Sequence, residues 1–292
     1  LYFVEGEADF NSSILACNES GNAAQCFLDN ASLNTKELVL DETVDNNLRY
    51  IEADPNNYVT FNNESWRIIG VMNNIDDGTG VQESRLKIIP DSSIGSYSWS
   101  SVSIGSGLID PYWGISTLQD TLNTGTYWNS LSSEAQDMIG MAVWHLGGTN
   151  ISSSSLMTNT FYEMERGSIV YENNPSTWTG NVALPYPSDY VYATEGGNNI
   201  DRATCLGMLQ EDWNLEENVD CRSNDWLFTE SRYWTLFYNV QGMPFAVENS
   251  GYVRSMHGIS STNVYPTVYL SSDVKIISGN GTMENPYGLS VN

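Results

Sequence analysis

The chain has 292 residues, 40% of them hydrophobic, which is enough to bury a substantial core in one large domain or two small ones. Lys and Arg total 11 against 36 Asp and Glu, a net charge of -25, so polyanions are repelled and nucleic acid and anionic lipid are poor partners. No long uninterrupted apolar run occurs, so no membrane span is expected, and any export signal is expected to have been removed.

Residues 1–10, Leu-Tyr-Phe-Val-Glu-Gly-Glu-Ala-Asp-Phe, join a β-favouring aromatic start to acidic residues. They read as a strand that pairs with a neighbouring edge, with Leu1, Phe3 and Phe10 as its anchors. Gly6, Glu7 and Asp9 interrupt the long apolar helix that a type IV pilin would need. The four cysteines form two local pairs, Cys17 with Cys26 and Cys205 with Cys221, without Cys-x-x-Cys spacing or histidine company. Two short-loop disulfides and an oxidising compartment follow, the alternative being four buried thiols in a reducing one.

Strands are predicted at 48–52, 58–61 and 65–72, with turns at Asp54-Pro55-Asn56-Asn57 and Asn62-Asn63. Asp76-Asp77-Gly78 turns the chain into a further strand at 85–89. That acidic loop is no EF-hand, because Ile75 stands where an oxygen ligand is needed. Leu118 and Leu122 share a helical face, and Ser132-Ser133-Glu134-Ala135 is a capping signal ahead of Met138 and Ile139. A strand over 141–146 ends at Gly147-Gly148, and a third helix is expected over 156–166 with Phe161 and Met164 inward. Strands are then expected at 182–184, 190–192, 233–238, 244–248, 252–255, 267–270 and 275–277. Residues 1–40 form an N-terminal extension with the donor strand and first disulfide loop, and 41–292 a single globular domain of the α+β, β-rich class.

No catalytic constellation is visible. His145 lies in an apolar strand and His257 near a Gly-Ile-Ser-Ser loop, neither placed for a Ser-His-Asp arrangement. Glu211 with Asp212, and Glu216 with Glu217, lie inside the second disulfide loop and read as solvated rather than as a glycosidase pair. Neither a phosphate-binding glycine loop nor a zinc motif occurs, so no metal and no cofactor are expected. Nine Trp and 17 Tyr supply stacking faces, most of them for the core. Trp213 and Trp226, in and just after the Cys205–Cys221 loop, are the candidate exposed ligand contacts.

Several motifs resemble a family of exported proteins of Gram-positive and related bacteria, some linked to surface or pilin-like genes. They are Asp45-Asn46-Asn47-Leu48-Arg49-Tyr50, residues 56–62, Trp66-Arg67-Ile68-Ile69-Gly70-Val71, residues 94–99, residues 127–131, Tyr186-Pro187-Ser188-Asp189-Tyr190 and Arg202-Ala203-Thr204-Cys205-Leu206. The C-terminal segments 233–235, 245–247, 250–253 and 266–270 are similar to the closing strands of C-type-lectin-like domains in bacterial surface and formylglycine-generating-type proteins. The resemblance implies a C-type-lectin-like mixed fold with long inserted loops. It also implies an Arg at position 265, where this chain has Tyr265. The function expected is that of a non-enzymatic structural and adhesive protein of the bacterial cell surface, self-associating into a filament by N-terminal strand addition. The alternative is a monomeric adhesin head that binds a glycan or protein through loops at 195–232.

Overall fold

The computed structural model describes residues 9–17, 22–101 and 112–291, so Leu1 and Phe3 lie outside the described residues. Asp9 accepts the Ser12 N–H at 3.0 Å and so caps helix α1 (Phe10–Cys17). Asn22 does the same for α2 (Ala23–Asn30) through the Gln25 N–H. The Cys17–Cys26 disulfide ties the two helices together. Phe10 is 6% exposed and meets the Phe27 ring edge-on at 5.5 Å. The expectation that Phe10 anchors a strand in a neighbour is therefore corrected: the Asp9 cap starts a helix there, and the chain's own core takes the ring.

An unpredicted strand β1 (Leu38–Leu40) precedes β2 (Leu48–Tyr50), β3 (Tyr58–Phe61), β4 (Glu64–Asp76) and β5 (Gln82–Pro90), which follow the predicted order, and antiparallel ladders join β1 to β2, β2 to β4, β3 to β4 and β4 to β5. In the turn after β4, Asp76 accepts the Gly78 and Gly80 N–H groups and Asp77 accepts that of Thr79, so these carboxylates serve their own backbone. Next come β6 (Ser96–Ser98), α3 (Thr117–Asn123), α4 (Ser133–Met138) and β7 (Ala142–His145). Ser116 and Ser132 cap the two helices, which bury Leu118, Leu122 and Met138 as the periodicity predicts. The helix expected over 156–166 shrinks to α5 (Phe161–Glu165), because Thr158 ahead of it turns its N–H and hydroxyl to the Met208 carbonyl.

Beyond β8 (Thr177–Gly180) and β9 (Val182–Ala183), the strand expected at 190–192 is instead helix α6 (Pro187–Val191). Pro187 is preset for the first helical turn, and Asp189 reaches back to accept the Tyr186 N–H at 2.8 Å, so cap chemistry overrides the β propensity of Tyr190-Val191-Tyr192. Helices α7 (Arg202–Gly207) and α8 (Val219–Ser223) are joined by the Cys205–Cys221 disulfide. The chain closes with β10 (Tyr233–Tyr238), β11 (Pro244–Val247), β12 (Val253–Ser255), β13 (Ser261–Asn263), β14 (Thr267–Tyr269), β15 (Lys275–Ser278) and β16 (Tyr287–Ser290).

The strands sort into a nine-stranded sheet, β15-β16-β3-β4-β5-β14-β9 with β2 also on β4 and β1 beyond it, a five-stranded sheet, β12-β11-β10-β13-β6, and the pair β7-β8. The fold is α+β and β-rich. The boundary expected between residues 40 and 41 falls inside the β1–β2 hairpin, and α1 and α2 share one buried core with the sheets. Among the described residues no helix is long and apolar enough to cross a membrane.

Candidate functional site

Four strands of the large sheet bring Arg49, Gly70, Lys87 and Tyr269 into one cross-strand row: Arg49 pairs with Gly70, Gly70 with Lys87, and Lys87 with Tyr269. Directly opposed residues project to the same face, so two cations flank a position that has no side chain. Glycine is needed there because a Cβ would run into the Leu48 carbonyl of β2. Helix α6 covers this face and inserts Asp189 between the cations. Its Oδ1 accepts from Arg49 Nη1 at 2.7 Å, and its Oδ2 accepts from Lys87 Nζ at 2.5 Å and from the Tyr186 N–H. The side chains of Arg49, Lys87 and Asp189 are 2%, 1% and 1% exposed, so this is an ion triad sealed from water.

A second ring of contacts fixes the triad. Arg49 Nε donates to Asp41 at 3.0 Å, and Asp41 in turn accepts the Thr43 and Asn47 N–H groups. The Lys87 ammonium lies 4.3 Å from the Tyr186 ring centre and 5.3 Å from those of Trp144 and Tyr269. Glu165 of α5, fully buried, accepts the Ser188 N–H at 2.8 Å and the Ser188 hydroxyl at 2.6 Å, which pins the turn that carries Asp189.

Burial sets the protonation of these groups, and their charges then correct it. Desolvation pulls the Lys87 ammonium down to about 8, against the opposing pull of Asp189. Desolvation would raise Asp189, but Lys87 and Arg49 outweigh it and hold the carboxyl below its ordinary range. Burial pushes Glu165 up to about 7, Arg166 and the Ser188 bonds offsetting only part of the effect. Every carboxylate oxygen of Asp189 and Glu165 accepts a donor from this chain.

Near Arg49 lies a groove of about 510 Å³, walled by Asp41, Val44, Tyr162, Tyr192, Arg202 and Leu206. Arg202 is fixed by donating to the Tyr192 and Thr194 carbonyls, and Asp201 caps α7 through the Thr204 N–H. The Cys205–Cys221 bond anchors the same helix, so the groove wall is rigidly held. Val44 stands 85% exposed at its rim.

Both predicted cysteine pairs are bonded. Trp213 is not an exposed contact: it is fully buried, its indole N–H donates to the Cys205 carbonyl, and its ring meets Tyr190 edge-on. Trp226 is likewise buried, donating to the Tyr50 carbonyl beneath the Arg67 guanidinium. It lines a small cleft, about 30 Å³ against the 510 Å³ of the groove near Arg49, in which Tyr265 packs on Tyr233. The disulfide-bounded loop folds over its own Trp213, whereas Trp226, five residues beyond Cys221, is covered by distant parts of the chain at Tyr50 and Arg67. His257 is exposed, whereas burial drives His145 down to about 4, leaving it neutral. Glu216 and Glu217 are exposed, and Glu211 and Asp212 partly so.

Arg49, Lys87, Glu165 and Asp189 were given no role from the sequence, although Arg49 and Asp189 lie in motifs that carry the family resemblance. A signal for two of them exists: Lys87 sits in Leu86-Lys87-Ile88-Ile89 and Arg49 between Leu48 and Tyr50, lone cations in apolar strands. Comparisons with protein-family descriptions, with curated proteins and with solved structures find no match to this chain.

Proposed function

We propose that this is a non-enzymatic, extracellular structural and adhesive protein of a bacterial surface, and that it binds a glycan or an extended protein segment in the groove beside α7. The groove carries this reading. It is large enough for a few sugar rings or side chains, combines tyrosine edges with fixed polar groups, and draws one wall from the inserted loop at 195–232. Two disulfides fit an oxidising exterior, and the surface charge of -25 favours solubility at high concentration. The C-type-lectin-like reading of the C-terminal region belongs to the same proposal and draws on the antiparallel β10–β11–β12 strands.

Filament assembly is the second reading. It is favoured by the packing of α1 beside β15, which among the described residues is an edge strand of the large sheet, since such an edge invites another chain. With Phe10 committed to the core, this reading rests on Leu1 and Phe3.

The groove is tested with arrays of immobilised glycans and extracellular-matrix proteins, comparing the parent chain with Ala203→Trp. Ala203 is exposed on α7 and lines the groove, so the indole blocks it without disturbing the core. Binding by the parent that the variant loses is the expected result. Equal binding by both, or none by either, sinks the proposal.

A further inference from the structure

We propose that Lys87 and Asp189 are partners in a self-formed intramolecular amide bond that links β5 to α6 across 102 residues of chain. The inference is independent of what the groove binds. The two groups touch at 2.5 Å, each is 1% exposed, and among the described residues Asp189 is the only carboxylate in a hydrogen bond or ion pair with the Lys87 amine. The amine's remaining surroundings include the faces of Tyr186, Trp144 and Tyr269. Holding nucleophile and electrophile together in a dry site replaces a slow bimolecular step by a unimolecular one, and exclusion of water opposes the reverse hydrolysis.

The step balances without any further reactant. Lys87 Nζ bonds to Asp189 Cγ, and the Cγ–Oδ2 bond breaks. Oδ2 leaves as water, carrying the two protons that the ammonium gives up, and one hydrogen stays on the amide nitrogen. Arg49 sits on Oδ1 at 2.7 Å, where negative charge gathers as the tetrahedral intermediate forms, and it remains there on the amide oxygen. Glu165 is a positioning residue, fixing Ser188 immediately ahead of Asp189. The neutral amine needed for attack is accessible near neutral pH because burial brings Lys87 down to about 8. Converting a buried ammonium and carboxylate to a neutral amide also removes two charges from a site that solvates them poorly.

The test is intact mass spectrometry of the whole chain, reduced and denatured, followed by protease digestion. The expected result is a mass lower than the sequence sum by one water, with the peptides containing Lys87 and Asp189 recovered as one branched species. Lys87→Met and Asp189→Ala chains should show the full mass; because the measurement is made on denatured protein, neither variant has to fold well. A parent chain at full mass overturns the proposal. So does a water loss with the Lys87 peptide free, as a succinimide at Asp189 would give.

Discussion

Arg49 on β2 and Asp189 on α6, 140 residues apart in the chain, meet at 2.7 Å in a region closed to solvent. The contact joins the hairpin that opens the large sheet to the helix that covers it, and Arg49 also neutralises Asp41. Two carboxylates therefore depend on one guanidinium.

Replacing Arg49 with Met keeps much of the volume but leaves the Asp41 carboxylate buried without its cation. Breaking a buried pair on one side costs about 3–5 kcal/mol, because the stranded charge remains desolvated. Urea unfolding followed by tryptophan fluorescence should show a loss of that order. A change below about 1 kcal/mol, the range of an exposed pair, would mean that water reaches the triad.

Glu165 makes stability depend on pH in an unusual direction. Its folded pKa is raised to about 7 from the ordinary 4.5, so the folded state holds its proton while the unfolded chain releases it. Stability contributed by this group is complete below the unfolded value and declines as pH rises to about 7, by up to about 3 kcal/mol. Glu165→Gln should abolish that slope. Measuring parent and variant side by side cancels the opposite trend of His145, whose burial costs stability as pH falls below its ordinary range. Parallel curves for the two proteins between pH 4.5 and 7 would show that Glu165 is hydrated.

The apolar, β-favouring runs at 58–61, 65–72 and 85–89 and the serine caps of α3 and α4 were legible because each is a local pattern with a local cause. The α6 segment was not, since Tyr190-Val191-Tyr192 has strand propensity and the deciding interaction is the reach of Asp189 back to Tyr186. The ion triad was hidden for a different reason. Arg49, Lys87 and Asp189 come from three distant segments, and their register across β2, β4 and β5 is fixed only once the sheet exists. Trp213 and Trp226 were misread as exposed because composition reveals that a loop is polar, not that it folds over Trp213 or that the distant Tyr50 carbonyl takes the Trp226 indole.

The Cys205–Cys221 bond spans 16 residues and carries the α7 wall of the groove. By the loop-entropy model such a closure is worth about 3 kcal/mol. The Cys205→Ser, Cys221→Ser double variant should lose stability of that size in thermal unfolding. Its α7 amides should also exchange hydrogen faster than those of β4, which keeps its sheet partners. Uniform acceleration throughout the chain would instead make the disulfide part of one global unit.

Two changes at the N-terminus separate folding from assembly. Phe10 is buried against Phe27, so Phe10→Ala should cost about 3–5 kcal/mol of stability in the isolated chain. Deleting residues 1–8 removes Leu1 and Phe3 but leaves the Asp9 cap of α1 intact, and thermal stability should stay near that of the parent. If assembly proceeds by strand addition, the intact chain forms long regular filaments in electron microscopy and the shortened chain stays monomeric in light scattering. Filaments from both would move the contact elsewhere on the surface. Monomers from both would leave the groove beside α7 as the contact face to pursue, because stability and assembly are read separately and a folding defect cannot masquerade as lost polymerisation.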